Sequence, residues 1–326
     1  MTVEHYRIHG VTVQIATPPG ALADAVAALL SPFVVASNSA PACCFTIRHG
    51  EPPTADDGLL LVERTALPSG REICHFADAH RRISHVAGLA WHRLDLRQGK
   101  AEIVVRPGEE WALESGSLTP LLCDVLAQEQ HHVFHAATLV GQTQAGPRAI
   151  ILAGVSGVGK TTTALALARA GLTLLADDAT FLIRRNGALK VWGFPRPCKV
   201  HRRTLALLDW LGELEPDPRW HHDEFLLAPQ RVSPAAPDCE VSPGLLVLLQ
   251  SRNDQGHRFE EWSQLEAMTE MTRQNVRAMR GMALQSAGDC FAAVGDLVTG
   301  CRTLRLSIGP DLPSLAVALG RELEKK

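Results

Sequence analysis

The residues with the clearest chemical potential lie in one stretch, 149–178, which reads AIILAGVSGVGKTTTALALARAGLTLLADD. Residues 154–161 fit the pattern G-x-x-x-x-G-K-[ST], which is typical of a turn that binds nucleotide phosphates. Gly154, Gly157 and Gly159 permit a tight turn in which successive backbone N–H groups face an anion. We refer to residues 154–159 as the glycine loop, and we expect it to bind the phosphates of a nucleotide.

The side chains that follow the loop complete the expected site. Lys160 is expected to place a positive charge between the outer phosphates, and the Thr161 hydroxyl is expected to complete the shell of a Mg²⁺ ion. ATP and Mg²⁺ are therefore the expected ligands. The candidate nucleotide-binding residues are Gly154, Ser156, Gly157, Val158, Gly159, Lys160, Thr161 and Thr162.

The elements around the loop have the order that this chemistry requires. An apolar run at 150–153 predicts a buried strand, and the Ala/Leu-rich run at 162–170 predicts a helix. A second strand is predicted at 172–176, and it ends in the pair Asp177-Asp178. Because neighbouring strand residues point to opposite faces, one carboxylate can hold Mg²⁺ while the other is aimed elsewhere.

These residues resemble the catalytic domain of HPr kinase/phosphorylase and its relatives, which include serine kinases of peptide-modification gene clusters and, more distantly by fold, phosphoenolpyruvate carboxykinase. The resemblance covers about 133–199 and is carried by the glycine loop with Lys160, by Ala176-Asp177-Asp178, and by His135 on a strand before the loop. It implies a P-loop kinase core with a mixed sheet, and a possible homo-oligomer.

The resemblance also implies a reaction. It indicates an ATP-dependent kinase that phosphorylates a hydroxyl, first of all a serine in a protein or peptide. Asp177 would bind Mg²⁺ with Thr161, and Asp178 would take the hydroxyl proton, although the sequence leaves open whether the two roles are exchanged. The chain has Thr161-Thr162 where the family has serine and glutamate, and it lacks the family's glycine-rich signature, so neither phosphorolysis nor HPr itself is implied.

Two further candidate catalytic residues have alternative interpretations. His135 either orients the phosphate or the catalytic carboxylate, or is a satisfied core histidine. Arg196 or Lys199, in the proline-rich step FPRPCK, either meets the transferring phosphoryl group or belongs to a rigid exposed loop. A metal site formed by His131, His132 and His135 is disfavoured, since three ligands need convergent geometry.

Two other functions fit the same motif. The pocket could phosphorylate a small molecule, such as free serine, a sugar or an enolate. Alternatively, the protein could be a nucleotide-gated binding module whose slow hydrolysis switches a partner, although no water-positioning glutamine is evident in the sequence.

Composition limits the other possibilities. The 326 residues carry a net charge of −3, which gives no global field for nucleic acid or for acidic membranes. No apolar run is long enough to cross a bilayer and the N-terminus does not resemble a signal peptide, so we expect a cytoplasmic protein. The eight cysteines are scattered without a C-x-x-C motif, which favours free thiols.

The chain predicts two domains. Residues 1–130 read as a small mixed α/β module with a substrate-binding or assembly role, and residues 131–326 as the ATP-binding catalytic domain. In the first, Arg81, Arg82, His80, His85 and His92 either contact a partner or are ordinary surface residues of strands, and we favour the surface of strands. Helices are predicted at 111–130, 204–211, 263–282 and 315–323, hairpins at 97–100 and at Asn186-Gly187, and sheet strands at 245–249 and 302–308. Arg273, Arg277 and Arg280 would share one solvent-facing side of the third helix.

Overall fold

The structure of the chain is a computed structural model. It describes the chain except residues 37–38, 67–70, 114–116, 195, 213, 215–223, 229–230, 233–235, 237, 277–278, 280–281 and 326. The chain forms two compact units, one comprising Met1–His132 and Met279–Cys290, the other comprising Val133–Ala278 and Phe291–Lys326. Both are mixed α/β with mixed sheets. In the described residues, no helix is both long enough and apolar enough to span a bilayer.

The first unit is built on a nine-stranded sheet. Its strands are β1 (Thr2–Ile8), β2 (Val11–Thr17), β3 (Val34–Val35), β4 (Cys43–His49), β5 (Leu60–Ala66), β6 (Glu72–Ala77), β7 (Arg81–Val86), β8 (Ala90–Asp95) and β9 (Lys100–Val105). Their order is β3-β1-β2-β4-β9-β8-β7-β6-β5, and only the pairs β2–β4 and β4–β9 are parallel. The predicted hairpin at 97–100 is confirmed, since β8 and β9 pair antiparallel on either side of it.

Two helices and one buried ion pair accompany this sheet. The helices are α1 (Ala21–Leu30) and α2 (Leu118–Gln128), and α2 is shorter than the predicted 111–130. The expectation that Arg82 and His92 are surface residues is wrong, because both are buried. Arg82 donates to Asp124 of α2 at 2.8 Å, which compensates the burial of the two charges.

The second unit contains a six-stranded mixed sheet. Its strands are β11 (Ala137–Thr143), β12 (Gly146–Ala153), β13 (Thr173–Ala176), β18 (Ser242–Leu249), β19 (Arg258–Glu261) and β20 (Arg302–Ser307). The order is β13-β11-β12-β18-β20-β19, with β12, β18 and β20 parallel to one another. Their apolar runs are buried on both faces, as expected for the parallel part of a sheet.

Smaller sheets and helices surround this one. The remaining strands are β10 (His131–Phe134), β14 (Thr180–Arg185), β15 (Ala188–Gly193), β16 (Cys198–His201) and β17 (Glu224–Leu227). They form the sheets β10-β14-β15 and β16-β17, and the hairpin predicted at Asn186-Gly187 joins β14 to β15. The helices are α3 (Lys160–Arg169), α4 (Arg202–Leu207), α5 (Gln264–Asn275), α6 (Leu284–Gly300) and α7 (Leu312–Glu324).

The helix predicted at 263–282 is wrong in its extent. Helix α5 ends at Asn275, and α6, which the sequence analysis missed, begins at Leu284. Three glycines within α6, at 288, 295 and 300, lower its intrinsic helix propensity and obscure its signal in the sequence. Arg273 is exposed and pairs with Glu270, whereas the other two predicted arginines of that side, at 277 and 280, lie outside the described residues.

Candidate functional site

The glycine loop connects β12 directly to α3. Its glycines have φ values of 154° at Gly154, 82° at Gly157 and 109° at Gly159, all in the range that disfavours other residues. Gly159 is the N-cap of α3, so the cap residue supplies no side chain to the first amides of the helix. Those amides and the positive end of the helix dipole form a place suited to an anion.

Lys160 folds back over this loop. Its Nζ donates a hydrogen bond of 2.9 Å to the carbonyl oxygen of Gly154, and the side chain is buried. Burial lowers the pKa of Lys160, while the nearby Asp178 and Asp177 act in the opposite direction. A partly desolvated ammonium group beside the loop amides would interact strongly with an incoming polyphosphate.

The other candidate nucleotide-binding residues differ in how exposed they are to solvent. Ser156 and Gly157 are exposed, whereas Val158 packs against the core shared with α3. Thr162 is buried, and its hydroxyl lies 2.7 Å from that of Thr204. The Thr162 side chain is therefore engaged in the interior, so only its backbone can contribute to the expected nucleotide site.

Thr161 and Asp177 form a matched pair of oxygen ligands. The Thr161 hydroxyl donates to the Asp177 carboxylate, with separations of 3.0 and 3.2 Å to its two oxygens. Neighbouring ligands of an octahedral Mg²⁺ ion, each about 2.1 Å from the metal, lie about 3.0 Å apart. The residues present therefore fit a magnesium ion held between Thr161 and Asp177.

Asp177 is buried, and this has a large effect on its protonation. Burial, reinforced by the charge of Asp178, raises the pKa of Asp177 to about 7, against the opposing effects of Arg196, Thr161 and Lys160. Binding of a divalent cation would favour the ionised form and release a proton near neutral pH.

Asp178 faces a different environment from its neighbour. Its carboxylate lies 3.7 Å from Nδ1 of His135 and 3.8 Å from a guanidinium nitrogen of Arg196. Its φ of 62° places the backbone in the left-handed region, immediately after β13 has ended. The two carboxylates therefore have different surroundings because Asp178 itself has a left-handed backbone beyond the end of the strand, and not because of strand alternation, which was the basis of the prediction.

Arg196 and His135 complete this side of the site. Nε of Arg196 donates to the carbonyl oxygen of Asp177 at 3.4 Å, so one arginine contacts both members of the aspartate pair. His135 lies in the short junction between β10 and β11, not within a strand as predicted. Burial lowers the pKa of His135, which favours a neutral imidazole at pH 7.

Two buried residues at the site were missed in the sequence. Asn275, the last residue of α5, accepts a hydrogen bond of 2.7 Å from the backbone N–H of His135 and donates one of 2.9 Å to Met271. Cys198 hydrogen-bonds to Asp177, and burial raises the pKa of its thiol. Asn275 belongs to no local motif. Cys198 lies within FPRPCK, but nothing in that run indicates a contact with Asp177, so only the tertiary structure identifies the two residues.

Among the described residues, no group of three or more His, Cys, Asp or Glu side chains is arranged to hold a metal ion. The pair Thr161–Asp177 differs from such a cluster because it supplies two oxygens, and Mg²⁺ usually completes its shell with water and with phosphate oxygens.

Comparisons with known proteins add little to this geometry. No protein-family model matches the chain, and no curated protein matches it. Among solved structures, the chain is similar to the Hpr(Ser) kinase/phosphatase from Coxiella burnetii, with 14% sequence identity and a TM-score of 0.28 over 59% of this chain and 89% of that chain. At this TM-score the similarity does not indicate a function.

The raised pKa of Asp177 leads to a prediction about stability. The folded state retains this proton up to about pH 7, whereas the unfolded chain releases it near pH 4. The free energy of unfolding of the wild type should therefore decrease as pH rises from about 4 to 7. The Asp177→Asn variant should not show this decrease, because it has no carboxyl group to ionise at this position. We expect the free energy of unfolding of the variant, relative to that of the wild type, to be about 2–4 kcal/mol more favourable at pH 8 than at pH 4. Urea unfolding at the two pH values measures this difference.

The exposed Asp254→Asn is the matched control, because a substitution at the surface should change the free energy of unfolding by less than about 0.5 kcal/mol. A stability difference between Asp177→Asn and wild type that stays constant from pH 4 to pH 8 would contradict the burial argument.

Proposed function

We propose that the protein is a phosphotransferase that moves the terminal phosphoryl group of ATP onto a hydroxyl. The observation that carries this proposal is one cluster in which Lys160, the Thr161–Asp177 pair and Asp178 surround the glycine loop, with Arg196 contacting both aspartates. Phosphoryl transfer depends mainly on positioning and on charge stabilisation, which are the two properties this cluster combines.

Each residue has a separate task in the proposed reaction. The loop amides and Lys160 bind the phosphates, while Thr161 and Asp177 would hold Mg²⁺, which neutralises charge on the phosphate oxygens when bound. We assign Arg196 the task of stabilising charge on the transferring group, and the support for this is that its guanidinium lies beside the carboxylate expected to meet the acceptor.

Asp178 is the proposed base. The acceptor oxygen forms a bond to the terminal phosphorus, the bond from that phosphorus to ADP breaks, and the hydroxyl proton passes to the Asp178 carboxylate. Asp178 is partly exposed whereas Asp177 is buried, which favours Asp178 for the residue that meets an acceptor arriving from solvent. A neutral His135 beside it would orient the carboxylate without cancelling its charge.

On the basis of the sequence resemblance, we propose a serine of a protein or peptide as the first choice of acceptor. On the same basis, we propose that the protein forms a homo-oligomer.

Incubation of the full chain with Mg²⁺ and ATP labelled on the γ-phosphate, together with peptides and with small hydroxyl compounds, tests the proposal. Label on serine of a polypeptide supports it. Label only on a metabolite would move the acceptor to the small-molecule class, and tight ATP binding without transfer would favour a nucleotide-gated module.

Asn275 provides a prediction about positioning. Replacing it by leucine removes the acceptor for the His135 N–H, so His135 and its partner Asp178 should lose their alignment. We expect kcat to fall by about 10-fold while the KM for ATP changes less than about 2-fold, because the glycine loop is untouched. Steady-state kinetics with saturating acceptor would measure both values.

The neighbouring substitution Gln274→Leu is the matched control, because Gln274 is also buried at the end of α5 but bonds to Glu270 instead. Equal losses of kcat in the two variants would indicate a general effect on the helix and would refute a specific role for Asn275.

A further inference from the structure

The second unit contains a cavity that the proposed reaction does not use. It has a volume of about 480 Å³ and lies between α5 and the strands β18 and β20. Its lining residues come from these elements and from the residues beside them: Leu248, Gln250, Trp262, Leu265, Glu266, Thr269, Glu270 and Arg305. None of them takes part in the cluster around the glycine loop.

The cavity is close to the start of the glycine loop. In the sheet register Ala153, the residue before the loop, pairs with Leu248, and Leu248 pairs with Arg305. A Cβ on Gly154 would lie 3.3 Å from the carbonyl oxygen of Leu249, the residue that precedes Gln250. At about 4.8 Å per strand, the loop and the far wall of the cavity are roughly 10 Å apart, which a nucleoside can span.

The cavity also lies on a suitable side of the glycine loop for the nucleoside part of a phosphate donor. In the six-stranded sheet, β13, which precedes Asp177, lies two strands from β12 on one side of it. Strands β18 and β20 lie on the opposite side of β12. An acceptor positioned by the aspartates would therefore approach from one side of the loop and leave the other side for the rest of the phosphate donor. Ligands of open α/β sheets commonly lie across the carboxyl ends of the strands in this way.

The lining suits a planar, partly polar group. The Arg305 guanidinium lies 5.7 Å from the centre of the Trp262 ring and pairs with Glu266 at 2.9 Å. Trp262 is buried, and among the described residues its Nε1–H has no hydrogen-bond partner. Gln250 accepts from Ser307 through Oε1, which leaves its NH₂ group as the remaining donor. Leu265, which is 80% exposed, supplies apolar surface at the rim.

We propose that this cavity is the nucleoside subsite, which binds the base and ribose of ATP while the glycine loop binds its phosphates; this inference rests on the proposed function. The base stacks on the Arg305 guanidinium, which Trp262 and Glu266 hold in place. Gln250 and the Trp262 N–H supply hydrogen bonds, and Glu266 or Glu270 accepts from the ribose hydroxyls.

The test compares ATP with inorganic tripolyphosphate, which has the phosphates but lacks the nucleoside. Affinities of the full chain for both ligands are measured by calorimetry with Mg²⁺, for wild type, Gln250→Ala and Thr269→Trp. Thr269 is exposed on α5, so a tryptophan there obstructs the cavity without changing the core. Gln264→Trp, at an exposed position of α5 outside the cavity, is the matched control.

We expect each cavity variant to weaken ATP binding by about 10-fold and to leave tripolyphosphate binding within about 2-fold of wild type. Unchanged ATP affinity in both variants, or an equal loss for both ligands, would overturn the subsite. A wild-type protein that binds tripolyphosphate as tightly as ATP would overturn the subsite while leaving the phosphate-binding role of the loop intact. Binding of neither ligand would instead refute the proposed function, and the subsite with it.

Discussion

Replacing Lys160 by alanine is expected to reduce phosphoryl transfer from ATP by about 10³-fold and to weaken nucleotide binding as well. The ammonium is buried against the glycine loop, where its charge is poorly screened by water, and no other cation in the loop sequence can replace it. A positive charge between the outer phosphates stabilises both the bound nucleotide and the charge that develops during transfer. Calorimetry with ATP and a single-turnover assay measure the two effects separately.

Lys190→Ala is the matched control for this experiment. Lys190 is a partly buried lysine of β15 whose Nζ donates to Ser242, and it should change neither ATP binding nor transfer by more than about 2-fold. If Lys160→Ala bound nucleotide normally and formed product at the wild-type rate, the proposed function would be wrong.

The parts of the site that the sequence predicted are those determined by short-range signals. The strand, the glycine turn and the helix that begins at Lys160 follow one another directly, so hydrophobic periodicity and glycine placement were sufficient to predict them. The hairpin at Asn186-Gly187 was predicted correctly for the same reason, because its turn type depends on two adjacent residues.

Long-range contacts account for the features that were missed. Asn275 lies 140 residues from His135 in the chain, so no local pattern indicates that its side chain fixes the His135 backbone. Arg82 and His92 read as polar strand residues, and only the packing of α2 with its Asp124 explains why the arginine is buried. The cavity beside α5 likewise combines residues from β18, β20 and α5, which no spacing rule connects.

The different surroundings of the two aspartates make Asp178→Asn the most informative substitution. Asparagine tolerates the left-handed φ of 62° at this position better than alanine would, so the backbone should be preserved. The substitution removes the charge and the proton-accepting oxygen while leaving Thr161, Asp177 and the loop in place. We therefore expect kcat to fall by about 10²–10⁴-fold, with ATP affinity within about 3-fold of wild type, in steady-state and calorimetric measurements.

Asp177→Asn should behave differently, because it removes the carboxylate paired with Thr161. Its defect should include a much higher Mg²⁺ requirement, whereas the Mg²⁺ requirement of Asp178→Asn should remain close to that of wild type. An exchange of these two phenotypes would assign the metal to Asp178 and the proton to Asp177. Wild-type turnover by Asp178→Asn with ATP bound would exclude Asp178 as the base. Because Asp177 is buried beside Thr161, the proton of the acceptor would then have to pass directly to solvent or to the phosphate.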